Sequence, residues 1–330
     1  MQLTHEDFVR VSAVADEIPS LGPWRPVIAD LATLLGTGAD SSAARRARVH
    51  PQDALIASGR TSRTPPVQPF ALCPPERLAR CRGVLTDIDD TLTEHGVLMP
   101  EALAALHRLR ELGLPTIAIT GRPMGWSEPF ARAWPVDAIV AENGAVALFR
   151  EAGDLCIEYA QDDATRRANA QRLQEVLARI VHEVPGASAA RDSAGRVTDI
   201  AIDHSEFVHL PGAAIERVVA LMRSEGMEAT VSSIHVNGWF GTHDKRSGAR
   251  WIVSRLLGRE LDAERDDWLY VGDSTNDQVM FGCFPMSVGV ANLMRFAAEL
   301  TVWPAYLAEG ERGNGFAQVV EAIAAVRAQP

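Results

Sequence analysis

Short apolar runs, each closed by a polar turn, recur along most of this chain. Gly83 to Asp87 (GVLTD), Pro115 to Thr120 (PTIAIT), Ala138 to Asn143 (AIVAEN), Asp267 to Asp273 (DWLYVGD) and Met286 to Asn292 (MSVGVAN) all have this form. Runs that are apolar throughout, rather than alternating, are those of parallel strands covered on both faces. Between them the spacing predicts helices. One covers Pro100 to Leu112, with proline at its start and Gly113 as its stop, and another runs near Phe316 to Val326. Strand and helix in rotation predict an α/β fold with a doubly wound parallel-sheet core.

The stretch from about Phe149 to Asn237 breaks the series. It holds a long predicted helix (Ala164 to Val184), a strand (Val197 to Asp203), a second helix (Ala213 to Glu225) and a second strand (Ala229 to Val236). That order predicts an α+β insertion large enough to form its own small domain. The first 80 residues differ again. Two short helical patterns, around Glu6 to Glu17 and Val27 to Leu35, precede a segment containing Pro65, Pro66, Pro69, Pro74 and Pro75. Proline removes backbone donors and disfavours helix in the residue before it, so this segment reads as an extended linker with a boundary near Leu78. The expected organisation is an N-terminal extension over 1–80, partly helical with a proline-rich linker. A core over 81–149 and 238–330 follows, with an inserted domain over 150–237.

Composition narrows the functional classes. Of 330 residues 47% are hydrophobic and 23% charged, ordinary for a globular chain. Acids outnumber bases 43 to 32, a formal net charge of -11. A chain of that balance repels polyanions, so neither nucleic acid nor an anionic membrane is an expected partner. The opening MQLTHEDFVR has no apolar core of a secretory signal, and no apolar stretch approaches a bilayer span. Cys73, Cys81, Cys156 and Cys283 lack metal-like spacing and read as reduced thiols, which predicts a cytoplasmic protein.

In open α/β sheets ligands bind at the carboxyl ends of the strands, so chemistry is sought there. The first run ends in Asp87-Ile88-Asp89-Asp90-Thr91. If the extended backbone persists, Asp87 and Asp89 project to one side. Two carboxylates about 4 Å apart repel by about 4 kcal/mol, which a cation or a retained proton relieves. A solvated acidic turn with Thr91 as a helix cap is the plainer alternative. The second run ends in Thr120-Gly121-Arg122-Pro123, a hydroxyl and unobstructed N–H groups where a helix begins, suited to phosphate but also to ordinary turn chemistry. Gly272-Asp273-Ser274-Thr275-Asn276-Asp277 is another acidic strand end, with more polar groups than one helix cap requires. Lys245 precedes it and carries no meaning alone.

Taken together, the ordered set DxDDT, TGR, K, GDxxND resembles the haloacid dehalogenase superfamily. The Glu142-Asn143-Gly144 turn and the position of the insertion make it similar to the subclass with an α/β cap of the second type, which includes phosphatases of sucrose phosphate and mannosyl-phosphoglycerate. The resemblance runs from roughly Arg82 to the C-terminus and departs from many such members at Asp90, where they carry glycine. It implies a Rossmann-like core with a cap, and hydrolysis of a small phosphorylated sugar or related metabolite through an aspartyl phosphate. By the same resemblance Asp87 is the nucleophile and Asp89 the general acid and base. Lys245 neutralises phosphate and nucleophile, while Thr120, Gly121, Arg122 and Asn276 bind phosphate. Mg2+ is held by Asp87, Asp89 (through its main-chain carbonyl), Asp273 and Asp277. A hard, all-oxygen donor set agrees with Mg2+ rather than zinc.

Specificity is expected from the insertion, with Arg191, Asp203, His204, His235, Asn237 and Trp239 as candidates. Trp239 reads equally as a sugar-stacking ring or an anchor at the domain junction. His204, His209, His235 and His243 match no zinc spacing. Two other readings stand beside the phosphatase: a phosphomutase of the phosphomannomutase type, and a partner-binding protein with an incidental site.

Overall fold

In this computed structural model the chain is described over residues 67–328. The predicted helices around Glu6 to Glu17 and Val27 to Leu35, and Pro65 and Pro66 of the proline-rich segment, lie outside the described residues. The chain enters through β1 (Gln68–Pro69), continues as β2 (Gly83–Thr86), makes a small hairpin of β3 (Thr93–Glu94) and β4 (Val97–Leu98), and returns as β5 (Thr116–Ile119) and β6 (Ala138–Ala141). A hairpin follows, β7 (Val146–Glu151) with β8 (Asp154–Tyr159). Next come β9 (Ser188–Ala189), β10 (Asp199–Asp203), β11 (Glu228–Val231) and β12 (His235–Trp239), and finally β13 (Trp268–Gly272), β14 (Met286–Gly289) and β15 (Tyr306–Leu307).

Nine of these strands form one sheet in the order β1-β15-β14-β13-β2-β5-β6-β7-β8. It is parallel from β1 to β6 and antiparallel through the hairpin. Burial on both faces explains why its central runs are uniformly apolar. Val84 packs with Leu106, Leu109, Val319 and Ile323 on one side, whereas its neighbour Leu85 packs with Ile252 and Val253 on the other. The helices Pro100–Glu111 and Arg312–Arg327 cover the first face and Lys245–Leu257 the second. Full burial of one such side chain contributes about 1.5–3 kcal/mol.

Two boundaries differ from the sequence reading. Phe70 and Leu78 belong to the core, and Gln68 and Pro69 pair with Tyr306 and Leu307 at the sheet edge. Three of the prolines that suggested a linker, Pro69, Pro74 and Pro75, sit where proline does no harm. Pro69 lies in an edge strand, and Pro74 and Pro75 open the helix Pro75–Ala79. At the other boundary, residues 150–159 extend the core sheet instead of starting the insertion. Ala152 and Gly153 turn the hairpin with φ of 52 and 96, the left-handed pair that a two-residue connection needs.

The insertion is a four-stranded antiparallel sheet, β11-β12-β10-β9, with the helices Asp163–Glu183 and Gly212–Ser224. It has its own core, including Leu173, Ile180, Ile200, Ile202, Val218, Met222 and Val236. Among the described residues no helix is long and apolar enough to cross a membrane, and all four cysteines are unpaired.

Candidate active site

β2 and β13 are parallel neighbours, with Thr86 opposite Val271, so the residues that follow them emerge side by side. Asp87 leaves β2 with its N–H still bonded to the Val271 carbonyl at 2.9 Å, and Asp273 leaves β13 directly after Gly272. Asp87, Asp273 and Asp277 each place a carboxylate oxygen within 4.8 Å of the others, and all three are buried. Lys245 enters this group from the first position of its helix. Its Nζ donates to Asp87 Oδ1 and to Asp277 Oδ1, both at 2.7 Å. Burial opposes its charge, but the two carboxylates outweigh that and keep the ammonium protonated well above its ordinary range.

The helix is delivered by local chemistry. Asp244 caps it, accepting from Ser247 N at 2.7 Å while the Ser247 hydroxyl receives the Asp244 N–H at 2.8 Å. Gly144 and Gly248 then let two backbones touch. A Cβ on Gly144 would stand 2.1 Å from the Asp244 carbonyl oxygen, and one on Gly248 2.5 Å from the Gly144 Cα.

One lysine among three buried acids leaves the group short of positive charge. Burial above all, then Asp277 and Asp89, push Asp87 up to about 7 against the pull of Lys245. Asp273 is driven well above the carboxylate range by burial and by Asp90, Asp87 and Asp277. Asp273 Oδ2 accepts from Asn292 Nδ2 at 3.3 Å, while its Oδ1 is buried without a partner. An orphaned carboxylate oxygen beside two further acids is a donor set that fits a divalent, oxygen-seeking cation. Asp277 differs from the other two. Its Oδ1 accepts from Lys245 and from the Tyr270 hydroxyl, and its Oδ2 from the N–H groups of Asp273 and Ser274 at 2.9 and 3.0 Å. Those bonds make it the residue that sets the lysine and the Asp273 loop.

Arg122 does not sit as the sequence reading has it: it is spent on carboxylates, Asp89 among them. The Asp89 carboxylate lies outside the acidic trio and is held by Arg122 Nε and Nη2 at 2.9–3.0 Å, so any part it has in holding an ion falls to its main chain. Arg122, expected on phosphate, gives its remaining donors to Asp192 (3.2 Å) and Glu206 (2.8 Å), both from the cap. Thr120, fully buried at the end of β5, accepts from Arg122 N at 3.0 Å. The Gly121 carbonyl is taken by the cap through Arg196 Nη1 (2.9 Å) and Asn237 Nδ2 (3.2 Å). Asn276 accepts from the Ser274 hydroxyl at 2.9 Å and shares with Lys245 the wall of a cavity of about 330 Å3. Asp90 has φ 55 and pairs with Arg312 at 2.9 Å, a left-handed position that explains why glycine suits it elsewhere and why aspartate is accepted.

Several residues escaped the sequence reading. Glu142 was noted only as part of a turn, yet its buried carboxylate accepts from Met124 N (3.0 Å), Val197 N (3.1 Å), Thr198 N (2.6 Å) and the Thr198 hydroxyl (2.5 Å), tying core to cap. Tyr270 gave the one available signal, a hydroxyl inside an otherwise apolar run. Of the cap candidates, Trp239 is buried, donates to the His243 carbonyl at 2.9 Å, stacks on the His243 ring and lines the same cavity as Lys245. Arg191 lies over the Phe207 ring at 3.9 Å. His235 bonds Glu206 at 2.9 Å, and His204 bonds the Ser232 carbonyl at 3.0 Å. Asp203, Glu206 and His235 also come within 4.8 Å of one another, but Asp203 is spent on the N–H groups of Glu206 and Phe207, and Glu206 on Arg122 and His235.

A strand-end acidic site under an α+β cap resembles that of the haloacid dehalogenase-like hydrolases. A model of that family matches residues 84–176. Over 251 residues the chain is 28% identical to a protein of Pyrobaculum neutrophilum named phosphoglycolate phosphatase, covering 74% of this chain and 96% of that one. Its fold is that of the Thermoplasma acidophilum 0175 protein (TM-score 0.58, 15% identity, covering 74% of this chain and 98% of that one). It is also that of the sucrose-phosphatase from Synechocystis (TM-score 0.51, 17% identity, 74% and 98%).

Proposed function

We propose that this protein is a Mg2+-dependent phosphatase that hydrolyses a small phosphorylated sugar or related metabolite through an aspartyl phosphate on Asp87. The observation that carries the reading is the meeting of Asp87, Asp273 and Asp277 around the single Lys245 ammonium, with Asp273 Oδ1 left unpaired. Similarity to relatives named phosphoglycolate phosphatase supports the same chemistry. Phosphoryl transfer asks for positioning and charge neutralisation more than for elaborate covalent chemistry, and this site is built for both.

Asp87 attacks phosphorus with a carboxylate oxygen, and the bond to the leaving oxygen breaks as Asp89 gives that oxygen its proton. The Lys245 ammonium on Asp87 Oδ1 keeps the nucleophile oriented and offsets the charge of the phosphoryl oxygens. Thr120 and the Gly121 N–H receive that phosphoryl group. Asp89, now a carboxylate, takes a proton from water as the water attacks the aspartyl phosphate, which returns Asp87 and releases phosphate. Because Arg122 holds both Asp89 and the cap residues Asp192 and Glu206, opening the cap and freeing Asp89 are linked. Asp87, Asp273 and the Asp89 main-chain carbonyl would hold the Mg2+, which when bound supplies the positive charge that the acids lack.

A phosphate-release screen over phosphorylated metabolites, with Mg2+ and with EDTA, tests the reading. Release from at least one sugar phosphate, lost in EDTA, is the expected result; release from none overturns it. An isomer formed with little free phosphate would point to a mutase instead.

A further inference from the structure

Asn292 is the polar end of the last apolar run, and it is buried in the short helix Ala291–Phe296 that follows β14. The sheet carries it to the acidic site. β13 and β14 are parallel neighbours, and beyond them the Val290 N–H donates to the Gly272 carbonyl at 3.0 Å, one residue before Asp273. The Ala291 N–H is held by the Gly310 carbonyl at 2.9 Å. A Cβ on Gly315 would stand 2.3 Å from that carbonyl oxygen, so the first turn of the helix Arg312–Arg327 lies directly against it.

The partners of the Asn292 amide fix its orientation. Its Oδ1 accepts from the Arg312 N–H at 2.8 Å, which turns Nδ2 towards two acceptors, the Asp90 carbonyl at 2.9 Å and Asp273 Oδ2 at 3.3 Å. A primary amide has two N–H groups to give, whereas an aspartate in the same place would offer both acceptors only lone pairs. The two acceptors belong to different loops. The Asp90 carbonyl lies one peptide beyond that of Asp89, a ligand for Mg2+ in the mechanism above, and Asp273 follows the neighbouring strand β13. Arg312 grips the first loop as well, with Nε on Asp90 Oδ1 at 2.9 Å and Nη1 on Glu94 at 3.1 Å.

Charge explains why an amide stands here. Asp87, Asp273 and Asp277 lie close together and repel, which drives the two loops apart until a cation arrives. A lysine or arginine touching Asp273 would bring a full charge and compete with that cation, whereas an amide donates to the carboxylate and leaves its charge in place.

We propose that Asn292 is a positioning residue of the metal site, a neutral bridge that fixes Asp273 against the backbone of the Asp87–Asp90 loop so that ligands from two strands stand ready before the ion binds. This rests on the Mg2+ reading above and adds a residue that acts through Asp273 and the Asp90 main chain.

The test follows the melting temperature of the full-length chain against Mg2+ concentration at pH 8, beside the Mg2+ dependence of phosphate release. The native chain is expected to melt higher as Mg2+ is added, and the concentration dependence of that rise reports affinity. Outer partners that hold a ligand are worth about 10–100-fold in metal affinity, so Asn292→Ala is expected to weaken Mg2+ binding by about tenfold or more in both measurements, with a smaller fall in kcat at saturating Mg2+. Arg312→Gln loses the contacts with the Asp90 and Glu94 side chains but keeps the Arg312 N–H on Asn292, and shifts the affinity by less than about threefold. Where Asn292→Ala gives no cooperative melt in EDTA, Asn292→Ser, whose hydroxyl still accepts from the Arg312 N–H, is compared in its place. A melting temperature lowered in EDTA with the Mg2+ affinity unmoved makes Asn292 a packing residue and overturns the assignment, while the native response to Mg2+ leaves the metal reading standing. An equal loss of affinity in Arg312→Gln also overturns it, because the charge pair and not the amide then holds the loop. A native chain whose melting temperature ignores Mg2+ overturns the metal reading, and the assignment with it.

Discussion

Lys245 is 2% exposed and bridges Asp87 and Asp277 at 2.7 Å on each side. Removing one member of a buried ion pair strands the other charge, a cost of about 3–5 kcal/mol. Lys245→Met therefore leaves three buried acids with no ammonium among them. It is expected to lower kcat by about 10²–10³-fold, the usual loss for a group that meets developing charge. It is also expected to lower the melting temperature at pH 7, both readable from phosphate release and thermal unfolding; native turnover in the variant would remove Lys245 from the mechanism. Asp87 and Asp273 were legible because strand ends are where an α/β sheet exposes side chains, whereas Lys245, at a helix start, was legible only through the ordered set of motifs. The pairing of Asp89 with Arg122 was not, because it depends on Asp192 and Glu206 arriving from the cap, and no local spacing encodes that meeting.

Among elements, the contact between the Glu142–Gly144 turn and the helix Lys245–Leu257 places the lysine. Glu142, Asn143 and Gly144 all have positive φ (49, 54 and 109), which throws the Glu142 carboxylate towards the cap and brings the Gly144 backbone against the helix. A methyl on Gly144 would stand 2.1 Å from the Asp244 carbonyl, and its backbone angle disfavours any side chain. Gly144→Ala must push the helix outward. It is expected to cut kcat/KM more than about tenfold and to destabilise the fold by about 1–3 kcal/mol, measured by steady-state kinetics and urea unfolding. Unchanged values would mean that the turn does not position Lys245. The same scale shows where periodicity misleads. Uniform apolar runs identified the parallel strands, but β8 is half-exposed and mixes Asp154 and Glu158 with Leu155, Cys156 and Ile157, and so read as part of the insertion. Prolines in the segment Pro69–Pro75 masked an edge strand and a helix start.

For the molecule as a whole, the acidic trio couples folding to pH and to metal. Asp87 is pushed up to about 7 by burial, against an ordinary value of 3.8, and burial drives Asp273 well above that ordinary value too. Without an ion the native state holds protons that the unfolded chain has released. The stability that Asp87 gives is complete below 3.8 and is lost as pH rises through about 7. Mg2+ competes with those protons, so the rise in melting temperature on adding Mg2+ is expected to be small near pH 5 and large near pH 8. The comparison at fixed pH cancels contributions from groups away from the ion, such as His204, which burial lowers to about 4. An equal gain at both pH values would argue against a metal site at Asp87 and Asp273. The most direct measurement, however, is phosphate release from the best sugar phosphate by the native enzyme and by Asp87→Asn, in Mg2+. The account predicts a loss of about 10³-fold or more, because an amide in the place of the carboxylate cannot accept the phosphoryl group; a variant that releases phosphate at the native rate would contradict it.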